Sequence, residues 1–273
     1  MEPDDITLLV SLCRTRAGLK VSPDKTYLME SRLNPVARRE RYASIADMFA
    51  AVRAGKDEAL IWTIVEAMTA GESAFFDDKA TFAFLKDQVF PAMAKARGGR
   101  PVSVWSAACG AGQDVYSAAM IAEDLAGEGI TLELAASDLS TRLLEKAQAG
   151  LYSQFEVQRG LPIRRLVQHF TKEGDLWRLS PEVRQRVRWK RINLIAGLKG
   201  LGPFDIVLAR NVLGGMVEPA RAQVLAHLAQ VTPRDGVLVL GSRETVDVGP
   251  AFMPVPRAPG VYVRNPNHKA EAA

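Results

Sequence analysis

The stretch that most limits the possible folds runs from Val102 to Leu125. Val102-Ser103-Val104-Trp105 is an apolar run of strand character, Gly110-Ala111-Gly112 breaks it, and an alanine-rich helical segment follows from Tyr116 to Leu125. A strand that turns through Gly-x-Gly into a helix lets a ligand approach the backbone, because glycine carries no Cβ and tolerates positive φ. The third glycine of the full dinucleotide fingerprint is absent, so two readings stand: a cofactor cradle, or a turn whose glycines serve packing alone.

The rest of the chain fits an α/β protein. With 273 residues, 48% of them hydrophobic, there is material for a large core and a smaller companion domain. Lysine and arginine exceed aspartate and glutamate by four, too little for the charge field of a nucleic-acid binder. Cys13 and Cys109 lie far apart, and His169, His227 and His268 are scattered, so no metal-ligand spacing exists. The sequence has neither a signal peptide nor an apolar run of membrane-spanning length, which predicts a reduced, cytoplasmic protein that does not insert into membranes.

Residues 1 to about 70 read as helices. Asp4-Asp5 opens an amphipathic segment that Gly18 stops. A second segment, Ser22 to Tyr42, has Pro23 in its expected first turn and carries Arg32, Arg38, Arg39 and Arg41. Two more follow at Ser44–Val52 and Asp57–Met68. The arginines are either a solvated helix face or a dock for an acidic surface.

After a phenylalanine-rich stretch (Phe75, Phe76, Phe82, Phe84, Phe90), strands and helices alternate. Leu132–Ala136 is a second strand ending in Ser137-Asp138, about two dozen residues beyond the glycine turn. A carboxylate there can hold two ribose hydroxyls; the competing role is a helix N-cap, which Ser140 serves equally well. Residues 155 to 190, with Val187-Arg188-Trp189 among them, read as a small antiparallel insert. Regular alternation returns with the strand Phe204–Ala209, the helix Glu218–Val231 and the strand Val237–Gly241. Ligands in such sheets sit beyond the carboxyl ends of the strands, where Cys109–Asp114, Asp138, Arg210-Asn211 and Gly241-Ser242 should converge.

An ordered set of blocks resembles the chemotaxis-receptor protein-glutamate O-methyltransferases (CheR-type), which use S-adenosylmethionine. Trp105-Ser106-Ala107-Ala108-Cys109, Tyr116-Ser117, Ala136-Ser137-Asp138, Arg159-Gly160-Leu161-Pro162, Asn193-Leu194, Gly202-Pro203-Phe204-Asp205 and Arg210-Asn211-Val212 carry the likeness. It implies a Rossmann-like class I methyltransferase domain at 76–273 with the inserted β-subdomain, and a receptor-facing helical domain at 1–75. It further implies that Gly71, Ser73, Ala108, Cys109, Gly110, Gly112, Asp114, Asp138, Leu139, Asn193, Leu194, Arg210 and Asn211 surround the cofactor. Asp138 would take the ribose, Asn193-Leu194 would flank the adenine, and Asp114 would replace a glutamate one methylene longer. Arg32, Arg38, Arg39 and Arg41 would face the glutamate-rich helices of a methyl-accepting receptor, approached by a monomer.

The substrate side departs from the pattern. Where the family has a catalytic arginine this chain has Asp77, its tyrosine near the reaction centre is Gly215, and its Gly-His-Ser-Glu block reads Gly241-Ser242-Arg243-Glu244. A carboxylate at 77 lying ~4 Å from an acceptor carboxylate would repel it by roughly 4 kcal/mol at an effective dielectric of 20, about a thousandfold in rate. Lys79 or Arg210 could offset that. Two functions follow: methyl transfer to receptor glutamates, or a catalytically impaired relative that binds cofactor or a partner as a regulator.

Overall fold

In the computed structural model, which describes residues 1–55, 57–69 and 73–268, the chain divides into two compact units. Met1–Ala70 groups with Gly215–Arg221, and Gly71–Gly214 groups with Ala222–Ala273.

The first unit is built on α1 (Pro3–Ala17), α2 (Thr26–Arg39), α3 (Ile45–Ala54) and α4 (Glu58–Met68). Pro3 opens α1 where a missing N–H costs nothing, and Gly18 closes it in the left-handed region at φ 66°. Ser44 and Asp57 cap α3 and α4, accepting from the N–H groups of Asp47 and Leu60, each at 3.1 Å. Leu9, Cys13 and Ala17 recur at four-residue spacing and join Leu33, Phe49 and Ile64 in the core. The buried Asp5 is paired with Arg53 at 2.6 Å. Helix α2 begins later than the sequence suggests: Ser22–Lys25 closes a turn, Lys25 N–H to the Ser22 carbonyl at 3.1 Å, and the fixed φ of Pro23 serves that turn instead.

The second unit opens with α5 (Lys79–Phe84), a π-helical turn and α6 (Phe90–Ala96). Next come β1 (Val102–Ser106), α7 (Gln113–Ala126), β2 (Leu132–Asp138), α8 (Thr141–Ala149), β3 (Leu151–Ser153), α9 (Gln154–Gln158), α10 (Ile163–His169), β4 (Phe170–Glu173), β5 (Leu176–Leu179), α11 (Pro181–Arg184) and β6 (Val187–Arg191). β7 (Ile206–Leu208), α12 (Glu218–Val231), β8 (Val237–Val239), β9 (Phe252–Pro254) and β10 (Val261–Arg264) complete it, the first turn of α12 belonging to the helical unit.

A seven-stranded sheet has the order β6-β2-β1-β7-β8-β10-β9; its first five strands are parallel, and β10 runs antiparallel to both neighbours. The strand order reverses between β1 and β7, which opens a crevice beyond their carboxyl ends. The central strands are apolar on both faces, as strands covered on both sides must be. Phe75, Phe82, Phe90, Val104, Val115, Leu134 and Ile206 lie in one continuous core.

The antiparallel insert ends sooner than expected. Its sheet, ordered β3-β5-β4, starts at Leu151, and Val187–Arg191 is not part of it. That segment pairs in parallel with β2 as the edge of the main sheet. A short exposed strand has the same polar alternation in either setting, which is why composition did not separate them.

The amino ends of β1 and β7 are tied by Asp205, whose carboxylate accepts from Arg97 Nε at 2.6 Å and from the Ser103 N–H and hydroxyl at 2.8 and 2.9 Å. Asp205→Ala removes all three bonds at a buried site and should lower the unfolding free energy by ~3 kcal/mol. Urea unfolding measures this, and a loss under ~1 kcal/mol would count against the tie.

Candidate functional site

Gly112 precedes α7 at φ 89°, and a Cβ there would lie 3.0 Å from Ala147 Cβ, 3.1 Å from Tyr116 and 3.2 Å from Trp189. Only glycine fits that conformation and that space. Gly110, at φ 56°, is less crowded: among the described residues the one neighbour of its absent Cβ within 4 Å is Ser73 Cβ at 3.8 Å. The two glycines therefore have different reasons, one packing and one access. Cys109 N–H bonds to the Ser137 carbonyl at 2.8 Å, fixing the turn beside the end of β2, and burial pushes its thiol well above the ordinary range.

Asp138 ends β2. Its Oδ2 accepts from Gly110 N–H at 2.8 Å and its Oδ1 from Ser140 N–H at 2.9 Å. The N-cap of α8 is Ser140, which accepts from Leu143 N–H, so Asp138 is not needed for capping. Ile192 N–H bonds to the Asp138 carbonyl at 3.0 Å, and Asn193 and Leu194 follow directly, Leu194 buried and Asn193 half-buried. Ala108 and Leu139 are half-buried in the two loops on either side. Gly71 lies outside the described residues.

Across the crevice, Arg210 leaves β7 with its side chain 1% exposed. Its Nε meets Asp114 Oδ2 at 3.2 Å, its Nη2 donates to the Asp77 carbonyl at 2.5 Å, and Asp77 Oδ2 stands 3.6 Å from Nη2. The guanidinium lies over the Phe82 ring at 5.2 Å. Asn211, left-handed at φ 57°, donates from Nδ2 to Asp77 Oδ2 at 3.3 Å. Burial raises the Asp114 carboxyl to about 6, the Asp77 charge adding to the rise and Arg210 opposing it. Desolvation acts the same way on neighbouring Asp78, but hydrogen bonds from Thr81 and Ser242 and the charge of Arg210 hold it below the ordinary carboxylate range.

Among the described residues, three buried polar atoms in this crevice have no protein partner: Asp114 Oδ1, Arg210 Nη1 and Gln113 Oε1. A buried acceptor on an acid and a buried donor on an arginine, side by side, complement a ligand carrying both an ammonium and a carboxylate. Together with the glycine turn at Gly110 and an acid at the end of β2, this fits the amino-acid and ribose parts of S-adenosylmethionine.

Two loops are locked by a residue that pattern reading did not single out as functional. Glu244 accepts from the N–H groups of Asn211 and Gly241 at 2.7 and 2.8 Å through Oε2, and from Gly214 at 3.1 Å through Oε1. It joins the loop after β7 to the loop after β8. The available signal was its place in the Gly241–Glu244 block at a strand's carboxyl end.

The CheR methyltransferase SAM-binding domain model matches residues 71–256, and the CheR all-alpha domain model matches residues 4–69. The chain belongs to the CheR methyltransferase family. Chemotaxis protein methyltransferase 1 of Pseudomonas aeruginosa is 30% identical over 267 residues, 95% of this chain and 97% of the relative. Cher2, a chemotaxis protein methyltransferase of Pseudomonas putida, is 30% identical over 251 residues, covering 89% and 91%. A Vibrio parahaemolyticus chemotaxis protein methyltransferase is 32% identical over 237 residues, covering 85% and 86%. The match spans both units, so the family's cofactor, S-adenosylmethionine, and its class I methyltransferase fold apply to this chain.

Of the basic cluster in the helical unit, Arg38, Arg39 and Arg41 are exposed. Arg32 is half-buried and donates to the Met68 carbonyl at 2.8 Å, which ties α2 to the end of α4. Gly215 falls in the segment that groups with the helical unit, where its carbonyl accepts from Lys20 N–H at 2.8 Å.

The raised carboxyl of Asp114 has a thermodynamic signature. Between an unfolded value near 3.9 and a folded value of about 6, the folded chain binds more protons than the unfolded one. This group therefore lowers stability as pH rises through that window, and its contribution is constant above it. Relative to the parent, Asp114→Asn should gain ~2–3 kcal/mol between pH 4 and pH 7. Denaturant titrations of both cofactor-free proteins at several pH values measure the gap, and a pH-independent gap contradicts the assignment.

Proposed function

We propose that this family member transfers the methyl group of S-adenosylmethionine to glutamate side chains of methyl-accepting chemotaxis receptors. The observation that carries the reading is the buried Asp114–Arg210 pair, each partner of which keeps an atom unbonded among the described residues, beside the Gly110–Gly112 turn. In this reading Arg210 Nη1 takes the carboxylate and Asp114 Oδ1 the ammonium of the cofactor's methionine part. Asp138 holds the ribose, Asn193 and Leu194 flank the adenine, and the backbone of Ala108–Gly112, with Ser73, Leu139 and Asn211, completes the surround. Gly71 belongs to the same set by resemblance. When bound, the cofactor supplies a methyl group on a sulfonium.

A glutamate acceptor is already ionised near pH 7, its reference pKa being about 4.3, so no general base is required. The protein's part is orientation, exclusion of water and management of charge. Asp77 does not stand alone against the acceptor, because Arg210 and Asn211 both engage its carboxylate. The repulsion anticipated from the sequence is thereby reduced, and the purely regulatory alternative loses its main support. Arg38, Arg39 and Arg41 form the face that meets the acidic receptor helices, Arg32 acting behind them as a structural tie. The enzyme works in the cytoplasm as a monomer.

Calorimetry with S-adenosylhomocysteine followed by tritiated-methyl transfer onto receptor fragments tests the whole reading. Asp138→Ala should weaken nucleoside binding ~10–100-fold. Affinity should also fall below about pH 6, as Asp114 takes up its proton, by up to about tenfold per unit. Full binding without transfer to any glutamate-bearing receptor fragment would refute the methyltransferase reading.

A further inference from the structure

Around the crevice, among the described residues, four carboxylates face one buried cation. Asp77, Asp78 and Glu244 lie on loops and Asp114 in the first turn of α7, and the buried cation among them, Arg210, is shared between Asp114 and Asp77. An acceptor glutamate must bring another negative charge to this rim. At ~4 Å each unpaired like charge opposes it by roughly 4 kcal/mol at an effective dielectric of 20. Arg210 cannot turn outward to help: its side chain is 1% exposed and held on two sides.

Arg243 has the opposite character. Its side chain is 88% exposed, and its recorded interaction among the described residues is a loose one, Nη2 to Asp77 Oδ1 at 4.0 Å. Such a solvent-screened pair is worth little and gives way to a better partner. The residue next to it is Glu244, held by three backbone N–H groups, so the backbone at the base of Arg243 is fixed while its guanidinium is free to swing. Lys79, the other exposed cation close in sequence to Asp77, has no recorded contact with that carboxylate.

We propose that Arg243 binds the carboxylate of the incoming glutamate, leaving Asp77 to Arg210 and Asn211 and supplying an exposed positive charge that can reach the acceptor. A guanidinium suits this better than an ammonium because its planar fork engages both oxygens of a carboxylate and fixes the plane of the acceptor. The inference rests on receptor glutamates being the substrate.

The test uses the full chain, a receptor cytoplasmic fragment with glutamate at its adaptation sites, and the variants Arg243→Ala, Arg243→Lys and Lys79→Ala. Arg243→Ala should leave the affinity for S-adenosylhomocysteine within about twofold and lower kcat/KM for the fragment ~10–100-fold, as expected for losing a hydrogen bond to a charged group. Arg243→Lys should recover part of that loss, and Lys79→Ala should stay near the parent. Transfer by Arg243→Ala at the parental kcat/KM overturns the inference while the methyltransferase reading stands. An equal loss in Lys79→Ala also overturns it, since general field strength would then explain the effect. A parent chain that binds S-adenosylhomocysteine but methylates no fragment overturns both.

Discussion

One buried guanidinium organises the site. Arg210 leaves the carboxyl end of β7 and reaches Asp114 in the first turn of α7 and Asp77 ahead of α5, so three chain segments distant in sequence meet on one charge. Burying a cation is costly unless its neighbours answer it, and here two carboxylates and the face of Phe82 do so. Among the described residues, the arrangement stays incomplete by one donor and one acceptor. That incompleteness is itself informative, because a pair built only for stability would close on itself.

The surrounding loops use a different device: carboxylates that accept backbone N–H groups. Asp138 binds the N–H groups of Gly110 and Ser140, and Glu244 binds those of Asn211, Gly214 and Gly241. Loops at strand ends leave such donors without ladder partners, and satisfying them with a carboxylate fixes loop shape without secondary structure. Asp138 thus does two things at once. It shapes the turn, and its place at the carboxyl end of β2 is the one from which a carboxylate reaches a ribose.

Much of this was legible in the sequence. Helix starts at Ser44 and Asp57, the stop at Gly18, the helix Thr141–Ala149 and the central strands follow directly from caps, glycines and apolar runs. The glycine turn and the acid at 138 marked one side of the crevice because their spacing is local to a single βαβ unit. The parallel pairing of Val187–Arg191 was not legible, since a short polar strand is assigned by its neighbour rather than by its own residues. The sequence offered both Lys79 and Arg210 as the counter-charge of Asp77, and the choice of Arg210 was not legible, because charges 133 residues apart meet only once the sheet has formed. Glu244 escaped for the same reason: its role is written in the backbone of two loops, which carries no side-chain signature.

Gly112 sets a limit on how the site can adapt. With Ala147, Tyr116 and Trp189 filling the space where its Cβ would be, the turn is backed by α8, α7 and β6 and has no room to retreat. Gly110, two residues earlier, meets only Ser73 Cβ, at 3.8 Å, among the described residues. The turn is therefore stiff behind, so differences in how tightly a nucleoside is gripped have to arise from what meets its other side and not from yielding of the turn beneath it.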